Sequence, residues 1–379
     1  MLVVTSWSDE CGRRRLLELV EKVGDMGHGV IRVSAAIGMV ALAAVAGRSA
    51  AAERRPESVV VGESFTAATA DARFLGYGAA CLTGAPRGGK VAEATNHPLG
   101  GCHPNPAGPV PPAGAAPRGY LQLTDAHVEE TGAVLFDSPI PVRDGLEVTF
   151  EQWQYGSTTG TPADGISFFI TDGAVRLTTP GAFGGSLGYA QKLPDDSPDA
   201  HFVPGVAGGY LGIGLDVLGD YVGDGERRGN GCQRRSPAGT SFQPPPPGPN
   251  IVTARGPGNG VDGYCVLAAT ISKKPSLGLW RSTLPGRLHG ELETMPAGVT
   301  PRRAETLLEP VKRIVRVAIS PAPDPIVTVG VDFQDGDGFR QVLRFPAPEP
   351  VPNTVKFGFA ASTGPLTDVH LIRQVTVRS

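Results

Sequence analysis

The sequence has little charge and little methionine, and each shortage disfavours a class of protein. Charged residues make up 19% of its 379 residues and the formal net charge is -3, so we expect no electrostatic surface for nucleic acid. Methionine occurs 4 times, whereas glycine occurs 52 times and proline 36 times. Abundant glycine and proline are typical of a loop-rich chain with many tight turns, which disfavours a helical bundle. The first expectation is therefore an all-β fold.

An apolar run from Val33 to Gly47 lies near the start of the chain. It is shorter than the roughly 20 residues that a membrane-spanning helix needs, which argues against the alternative of a membrane anchor. The small residues Ala50 to Ala52 follow it, as at the cleavage site of a secretory signal. We therefore expect residues 1–52 to be removed and the mature protein to be secreted, outside the cell or at its surface. A start of translation at Met26 stays open.

Removal of that segment leaves four cysteines: Cys81, Cys102, Cys232 and Cys265. An even number of cysteines in an exported chain predicts disulfide bonds, for which three connectivities are possible. We expect Cys81 to pair with Cys102 and Cys232 with Cys265, because each pair closes a local loop rich in glycine and proline. Two histidines flank Cys102, so a metal site is the alternative there, but no Cys-x-x-Cys pair supports zinc.

Short β-prone runs separated by turn residues occupy most of the chain after residue 64. Alternation with period two is clear at Val315, Val317 and Ile319, so alternate side chains face one core. The expected strands are residues 119–123, 133–136, 146–154, 165–171, 211–217, 250–255, 264–269, 313–320, 326–333, 340–345, 355–361 and 370–378. This pattern predicts a β-sandwich.

The remaining segments complete the predicted domain organisation. Residues 53–64 are expected to be a leading segment, and residues 65–379 one domain. Thr300 to Leu308 carries a cap residue and a proline in the first turn, which predicts one short helix, interpreted as a surface insertion. The four prolines from Pro244 to Pro247 favour extended geometry and are interpreted as a loop.

Three segments between Pro162 and Asp224 stand in a recognisable order: PADGISFFITDG, GAFGGSLGY and YLGIGLDVLGDYVGD. A fourth, VKFGFAASTGPLTDVHLIRQVTV, runs from Val355 to Val377. Together they resemble the legume-type (L-type) lectins, here of a bacterial secreted type. The resemblance implies a concanavalin-like jelly-roll sandwich of two antiparallel sheets that binds carbohydrate with the help of calcium and catalyses no reaction.

The resemblance also implies which residues contact a sugar. Asp164 takes the place of the carboxylate that accepts hydrogen bonds from two vicinal hydroxyls, while Gly184 and Gly185 match a loop whose backbone N–H donates to the sugar. Leu366 falls in the last sugar-facing loop. From the residues alone, an Asp-Gly turn, a glycine pair and a turn residue are common features without a ligand, and those interpretations stay open.

The metal ligands implied by the resemblance are the carboxylates of Asp216, Asp220 and Asp224 with the carbonyl of Leu218. Calcium takes six to eight oxygen ligands, and this spacing can gather several of them where a strand turns into a loop. Asp220 replaces the family's asparagine and so changes a sugar contact, and Leu218 replaces a stacking aromatic residue, for which Tyr221 is the expected substitute. An acidic surface loop without metal is the alternative.

A second departure from the family concerns manganese. Plant members hold this ion with a glutamate two residues before the first aspartate, and this chain has Gly214 there. We therefore expect calcium and no manganese.

Two other functional classes compete with a lectin. A glycoside hydrolase of the same fold needs two carboxylates about 5 to 10 Å apart, but Glu147 and Glu151 on one strand face are separated by roughly 13 Å, so we expect no enzyme.

A secreted structural or adhesin-like module without sugar binding is the other alternative. The expected partner is a glycan or glycoconjugate, not nucleic acid, with no membrane span in the mature chain; the sugar and the oligomeric state stay open.

Overall fold

Two antiparallel β-sheets form most of the protein. A computed structural model describes residues 58–88, 93–142, 144–194, 199–239, 248–277 and 279–379. The predicted signal and the loop from Pro244 to Pro247 lie outside the described residues. The strands are β1 (Val59–Glu63), β2 (Phe74–Gly78), β3 (Cys81–Leu82), β4 (Glu93–Pro98), β5 (Leu121–Thr124), β6 (Thr131–Pro141), β7 (Leu146–Tyr155), β8 (Gly165–Asp172), β9 (Gly209–Asp216), β10 (Ile251–Arg255), β11 (Gly258–Asn259), β12 (Asp262–Gly263), β13 (Val266–Ala269), β14 (Arg313–Ile319), β15 (Ile326–Asp332), β16 (Phe339–Pro346), β17 (Thr354–Ser362) and β18 (Val369–Arg378).

The two sheets differ in size. An eight-stranded sheet has the order β16-β15-β14-β7-β18-β5-β3, with β1 also paired to β18. A ten-stranded sheet has the order β12-β11-β9-β8-β17-β6-β2-β4, with β10 paired to β9 and to β13. The predicted all-β sandwich of two antiparallel sheets is therefore confirmed.

The main core fills the space between the sheets. Val315, Val317 and Ile319 on β14 are buried there, which confirms the predicted alternation. Aromatic rings join the layers: Phe150 of one sheet lies with its ring centroid 4.8 Å from that of Phe359 in the other. Contacts of this kind contribute apolar burial and a favourable edge-to-face geometry.

A second core covers the opposite face of the ten-stranded sheet. Phe169 and Ala360 project from β8 and β17 on this face, because side chains alternate along a strand. The loops around β9 bring Leu187, Tyr189 and Tyr221 onto them. These loops contain the segments from which the sequence predicts a ligand site.

The short helix α1 (Pro301–Leu308) is present, and its Thr300 side chain accepts a hydrogen bond from the Arg303 amide, as the cap prediction requires. It is more than a surface insertion, because Leu308 is buried and its carbonyl accepts a hydrogen bond from Trp153 Nε1 at 2.9 Å. None of the described helices is long and apolar enough to cross a bilayer.

Both predicted disulfides are confirmed, Cys81 with Cys102 and Cys232 with Cys265. The leading segment differs from its prediction, because β1 pairs with β18 and so belongs to the eight-stranded sheet. The strand was missed because its residues Val59 and Val60 are exposed at the sheet edge, where the sequence shows no alternation toward a core.

Candidate functional site

Three neighbouring strands of the ten-stranded sheet end together and define the candidate site. Gly165, the first residue of β8, pairs with Asp216 at the end of β9 and with Ser362 at the end of β17. Asp164, directly before Gly165, therefore lies between the ends of β9 and β17, although both strand ends are far from it in the sequence. This register brings the predicted sugar and metal segments into one place.

Ser362 joins two of the predicted sugar contacts. Its hydroxyl donates a hydrogen bond to Asp164 Oδ2 at 2.7 Å, and it accepts one from the Gly184 amide at 3.0 Å. Its carbonyl accepts a hydrogen bond from the Asp164 amide at 2.8 Å. Sequence reasoning missed this residue; the Ala-Ser-Thr-Gly turn that contains it was the available signal, but the turn does not reveal its distant partners.

Asp164 is a buried carboxylate with one oxygen available. The residue is 6% exposed, follows a cis peptide bond from Ala163, and accepts the amides of Val217 and Leu218 on its carbonyl at 3.2 Å each. Within the described parts of the chain no group donates a hydrogen bond to Oδ1. Burial raises the pKa of Asp164 to about 7, and the nearby Asp220 carboxylate adds to this, while the Ser362 hydroxyl opposes it.

The glycine loop lies directly against the predicted metal segment. Gly184 has a φ of +68°, a left-handed conformation that favours glycine. A Cβ on Gly185 would lie 2.7 Å from the Asp220 Cβ and 2.7 Å from Arg228 Nη1, so a side chain has no room there. Close approach of the loop backbone thus depends on these two glycines. Phe183, directly before them, is half-buried and stacks on Tyr77 with ring centroids 6.2 Å apart.

Leu366 lies in the turn that follows Ser362. It is half-buried, and its carbonyl accepts a hydrogen bond from the Gly364 amide at 3.1 Å. No hydrogen bond in the described chain joins it to Asp164 or to the glycine loop. A sugar contact by Leu366 stays a prediction.

Asp216 and Asp220 are buried acidic groups close to Asp164. Asp216 accepts the amide of Gly219 on Oδ1 at 2.6 Å and that of Tyr221 on Oδ2 at 2.7 Å. Burial raises its pKa well above the usual range, and Asp220 adds to the effect. Burial also raises the pKa of Asp220, which the Arg228 guanidinium opposes.

Asp224 differs from these two because it has a cationic partner. It is 1% exposed, and its Oδ1 accepts hydrogen bonds from both terminal nitrogens of Arg255 at 3.2 Å. Its Oδ2 accepts the Ser236 amide at 2.8 Å. Arg255 was predicted only as the end of a strand, since its partner lies 31 residues away in the sequence.

The prediction that Tyr221 contacts a sugar is wrong. Its side chain is 0% exposed and belongs to the second core. A Cβ on Gly214 would lie 2.3 Å from its Cδ1, so the ring fills the space that the missing side chain leaves. The ring also lies under Arg255, whose Cζ is 5.2 Å from the ring centroid.

The predicted calcium set does not fit this arrangement. Calcium needs several oxygens converging on one point. In the described ranges, three potential ligand side chains with ligand atoms within 4.8 Å of one another occur only at Asp125, His127 and Glu130, a group that shares no residue with the predicted set. Asp224 is already paired with a fixed cation, the Arg255 guanidinium, and is therefore not free to complete a calcium site.

The separate group around Asp125 lies against the turn after Ser362. His127 Nδ1 is 2.6 Å from Asp125 Oδ1, and the Thr363 hydroxyl donates to the His127 carbonyl at 2.6 Å. Burial raises the pKa of Glu130 to about 8, with the Asp125 carboxylate adding to it. Asp125, His127 and Glu130 therefore form a possible acidic metal site.

The two glutamates considered for catalysis lie on the other sheet. Glu147 pairs with Arg378 at 3.5 Å and Glu151 with Lys312 at 3.4 Å, both from β7. They therefore take part in ion pairs across strands of the eight-stranded sheet, whereas Asp164 lies at the end of the ten-stranded one.

Comparison with known proteins finds similar solved structures of lectins. The chain is similar to the VIP36 exoplasmic/lumenal domain in a form bound to Ca2+ and Man3GlcNAc, with 15% identity, a TM-score of 0.36, and coverage of 68% of this chain and 80% of that one. It is similar to peanut lectin with a 9mer peptide (17%, TM-score 0.42, coverage 85% and 97%). It is also similar to lectin II from Ulex europaeus (13%, TM-score 0.44, coverage 85% and 99%). No protein-family model and no curated protein matches the chain.

Proposed function

We propose that this protein is a non-catalytic carbohydrate-binding protein that acts outside the cell. The observation that carries this proposal is the Ser362 hydroxyl, which joins Asp164 to the Gly184 amide. Asp164 Oδ1 accepts no hydrogen bond among the described residues, and a ligand hydroxyl is proposed to donate to it. The two disulfides support export, because such bonds persist in oxidising compartments.

The chemistry of the site suits neighbouring sugar hydroxyls. Ionised Asp164 offers Oδ1 as a charge-assisted acceptor for a hydroxyl donor, and such bonds are about twice as strong as neutral ones. The Gly185 amide, in the glycine loop beside Asp220, is proposed as the matching donor for a hydroxyl oxygen. Partly dry surroundings strengthen both interactions.

The proposed sugar binding does not depend on calcium, unlike the binding expected from the sequence. The pairing of Asp224 with Arg255 removes one of the four predicted ligands. Sugar binding is proposed to use the protein's own hydrogen-bonding groups.

A glycan array with the wild-type protein and Asp164→Asn tests the proposal. We expect the wild type to bind at least one glycan class and Asp164→Asn to lose that binding, because an amide is a weaker acceptor than a carboxylate. Asp337→Asn is the matched control, since that side chain is 72% exposed in the turn between β15 and β16 of the other sheet and should leave binding unchanged. A wild-type protein that binds no glycan would favour the structural or adhesin-like alternative.

A further inference from the structure

Two buried arginines hold the loop from which the sequence predicts a calcium site. Arg255 is 0% exposed and makes five hydrogen bonds. Besides Asp224, its guanidinium donates to the carbonyls of Tyr221 at 2.9 Å, Gly223 at 2.6 Å and Tyr264 at 2.8 Å. Five hydrogen bonds match the five N–H groups of an arginine side chain, so its donor capacity is used.

Arg228 holds the same loop from the side of the glycine loop. It is also buried, and it donates to the carbonyls of Gly223 and Asp220 at 3.1 Å each. Its third hydrogen bond, at 3.1 Å, goes to Glu226, which in turn lies 3.3 Å from Lys192 Nζ. The carbonyl of Gly223 is therefore shared between both guanidinium groups.

The oxygen atoms that accept hydrogen bonds from Arg255 are of the kinds that calcium binds in other proteins. A carboxylate and several backbone carbonyls are the hard oxygen ligands of that ion, and here they surround a guanidinium. A divalent cation beside Asp224 would face the fixed positive charge of Arg255 in a dry environment, where repulsion is strong. The Tyr221 ring fills the adjoining space beside Gly214.

We propose that Arg255 and Arg228 take the structural role of a metal ion in this loop, so that the fold and the site form without calcium. The proposal goes beyond sugar binding and holds whether or not the protein recognises a glycan. It makes the loop independent of the calcium concentration around the protein.

Thermal melting of the wild-type protein in millimolar calcium and in excess chelator is the first test. We expect the same melting temperature in both, and no heat of binding when calcium alone is titrated calorimetrically. A melting temperature that rises with calcium would overturn the proposal, and neither readout depends on a glycan.

The second test is a double-mutant cycle with Arg255→Met and Asp224→Asn, measured by melting temperature. Each single variant should melt well below the wild type, because it leaves one buried charge without its partner. The double variant should lose less than the sum of the two losses. Arg287→Met is the matched control, since that side chain is 74% exposed and should melt like the wild type. An Arg255→Met variant that melts like the wild type would contradict the proposal. So would a double variant whose decrease in melting temperature equals the sum of the two single decreases. If the single variants do not fold, the calcium test still decides.

Discussion

Asp224 and Asp164 are buried carboxylates on different loops at one end of the ten-stranded sheet, and they are stabilised in different ways. Asp224 meets a guanidinium, whereas Asp164 receives one serine hydroxyl and, among the described residues, no cation within hydrogen-bonding distance. A buried charge without a partner costs stability, and such a cost is typical of functional sites. The comparison indicates that the Asp224 loop is the closed half of this region, whereas the Asp164 side is an open half, in which we propose that a ligand binds.

The largest effect is expected from removal of the Tyr221 ring, which packs in the closed half. Tyr221→Ala removes a fully buried ring beside Gly214 and should lower the free energy of unfolding by about 3–5 kcal/mol. Urea unfolding measures this loss.

Tyr221→Phe is the matched control for that loss. The buried Tyr221 hydroxyl has no hydrogen-bond partner in the described structure, so its removal should change the free energy of unfolding by no more than about 1 kcal/mol. A Tyr221→Phe variant as unstable as Tyr221→Ala would show that the hydroxyl, and not the ring, holds the loop.

The next effect concerns the pH dependence of the open half. The folded-state pKa of Asp164, raised to about 7 by burial, lies above its usual value of 3.8. The folded state thus binds more protons than the unfolded state between those pH values, and stability falls as pH rises through that window. Asp164→Asn removes this contribution, so its stability should fall less than that of the wild type from pH 5 to pH 8, by about 1–3 kcal/mol.

Glycan binding should change with pH in the opposite direction. Only the ionised Asp164 carboxylate offers Oδ1 as a charge-assisted acceptor for a sugar hydroxyl, so wild-type affinity should rise from pH 5 to pH 8. Urea unfolding and glycan titration at the two pH values measure both effects. Equal pH dependence in the wild type and in Asp164→Asn would assign the titration to another group.

The smallest effect is expected at the connection between Asp164 and the glycine loop. Ser362→Ala removes the hydroxyl that joins them and should cost about 1 kcal/mol of stability and about tenfold in glycan affinity. Ser276→Ala, at an exposed position, is the control. Unchanged affinity in Ser362→Ala would mean that the two segments do not need this connection.

The sequence predicts the strands of this fold well because their signals are local. Alternation at Val315, Val317 and Ile319 shows directly which side chains face the core, and the proline after Thr300 marks the start of the helix. Both disulfides close local loops, so their pairing was also accessible. These features need no knowledge of distant partners.

The site was less predictable because its interactions are long-range. Ser362 and Asp164 are 198 residues apart, and Arg255 and Asp224 are 31 apart. Spacing among Asp216, Asp220 and Asp224 suggested metal ligands, but spacing does not show that an arginine on a neighbouring strand already neutralises one of them. Likewise, the absence of a side chain at Gly214 did not reveal that Tyr221 folds inward to fill the gap.

Calorimetric titration of an array-identified glycan into wild-type protein and Asp164→Asn, each in calcium and in chelator, tests the central claim most directly. We expect the wild type to bind with the same affinity in both solutions and Asp164→Asn to give no binding heat in either. Wild-type binding that disappears in chelator and returns with calcium, or binding by Asp164→Asn equal to that of the wild type, would contradict a metal-independent sugar site built on Asp164.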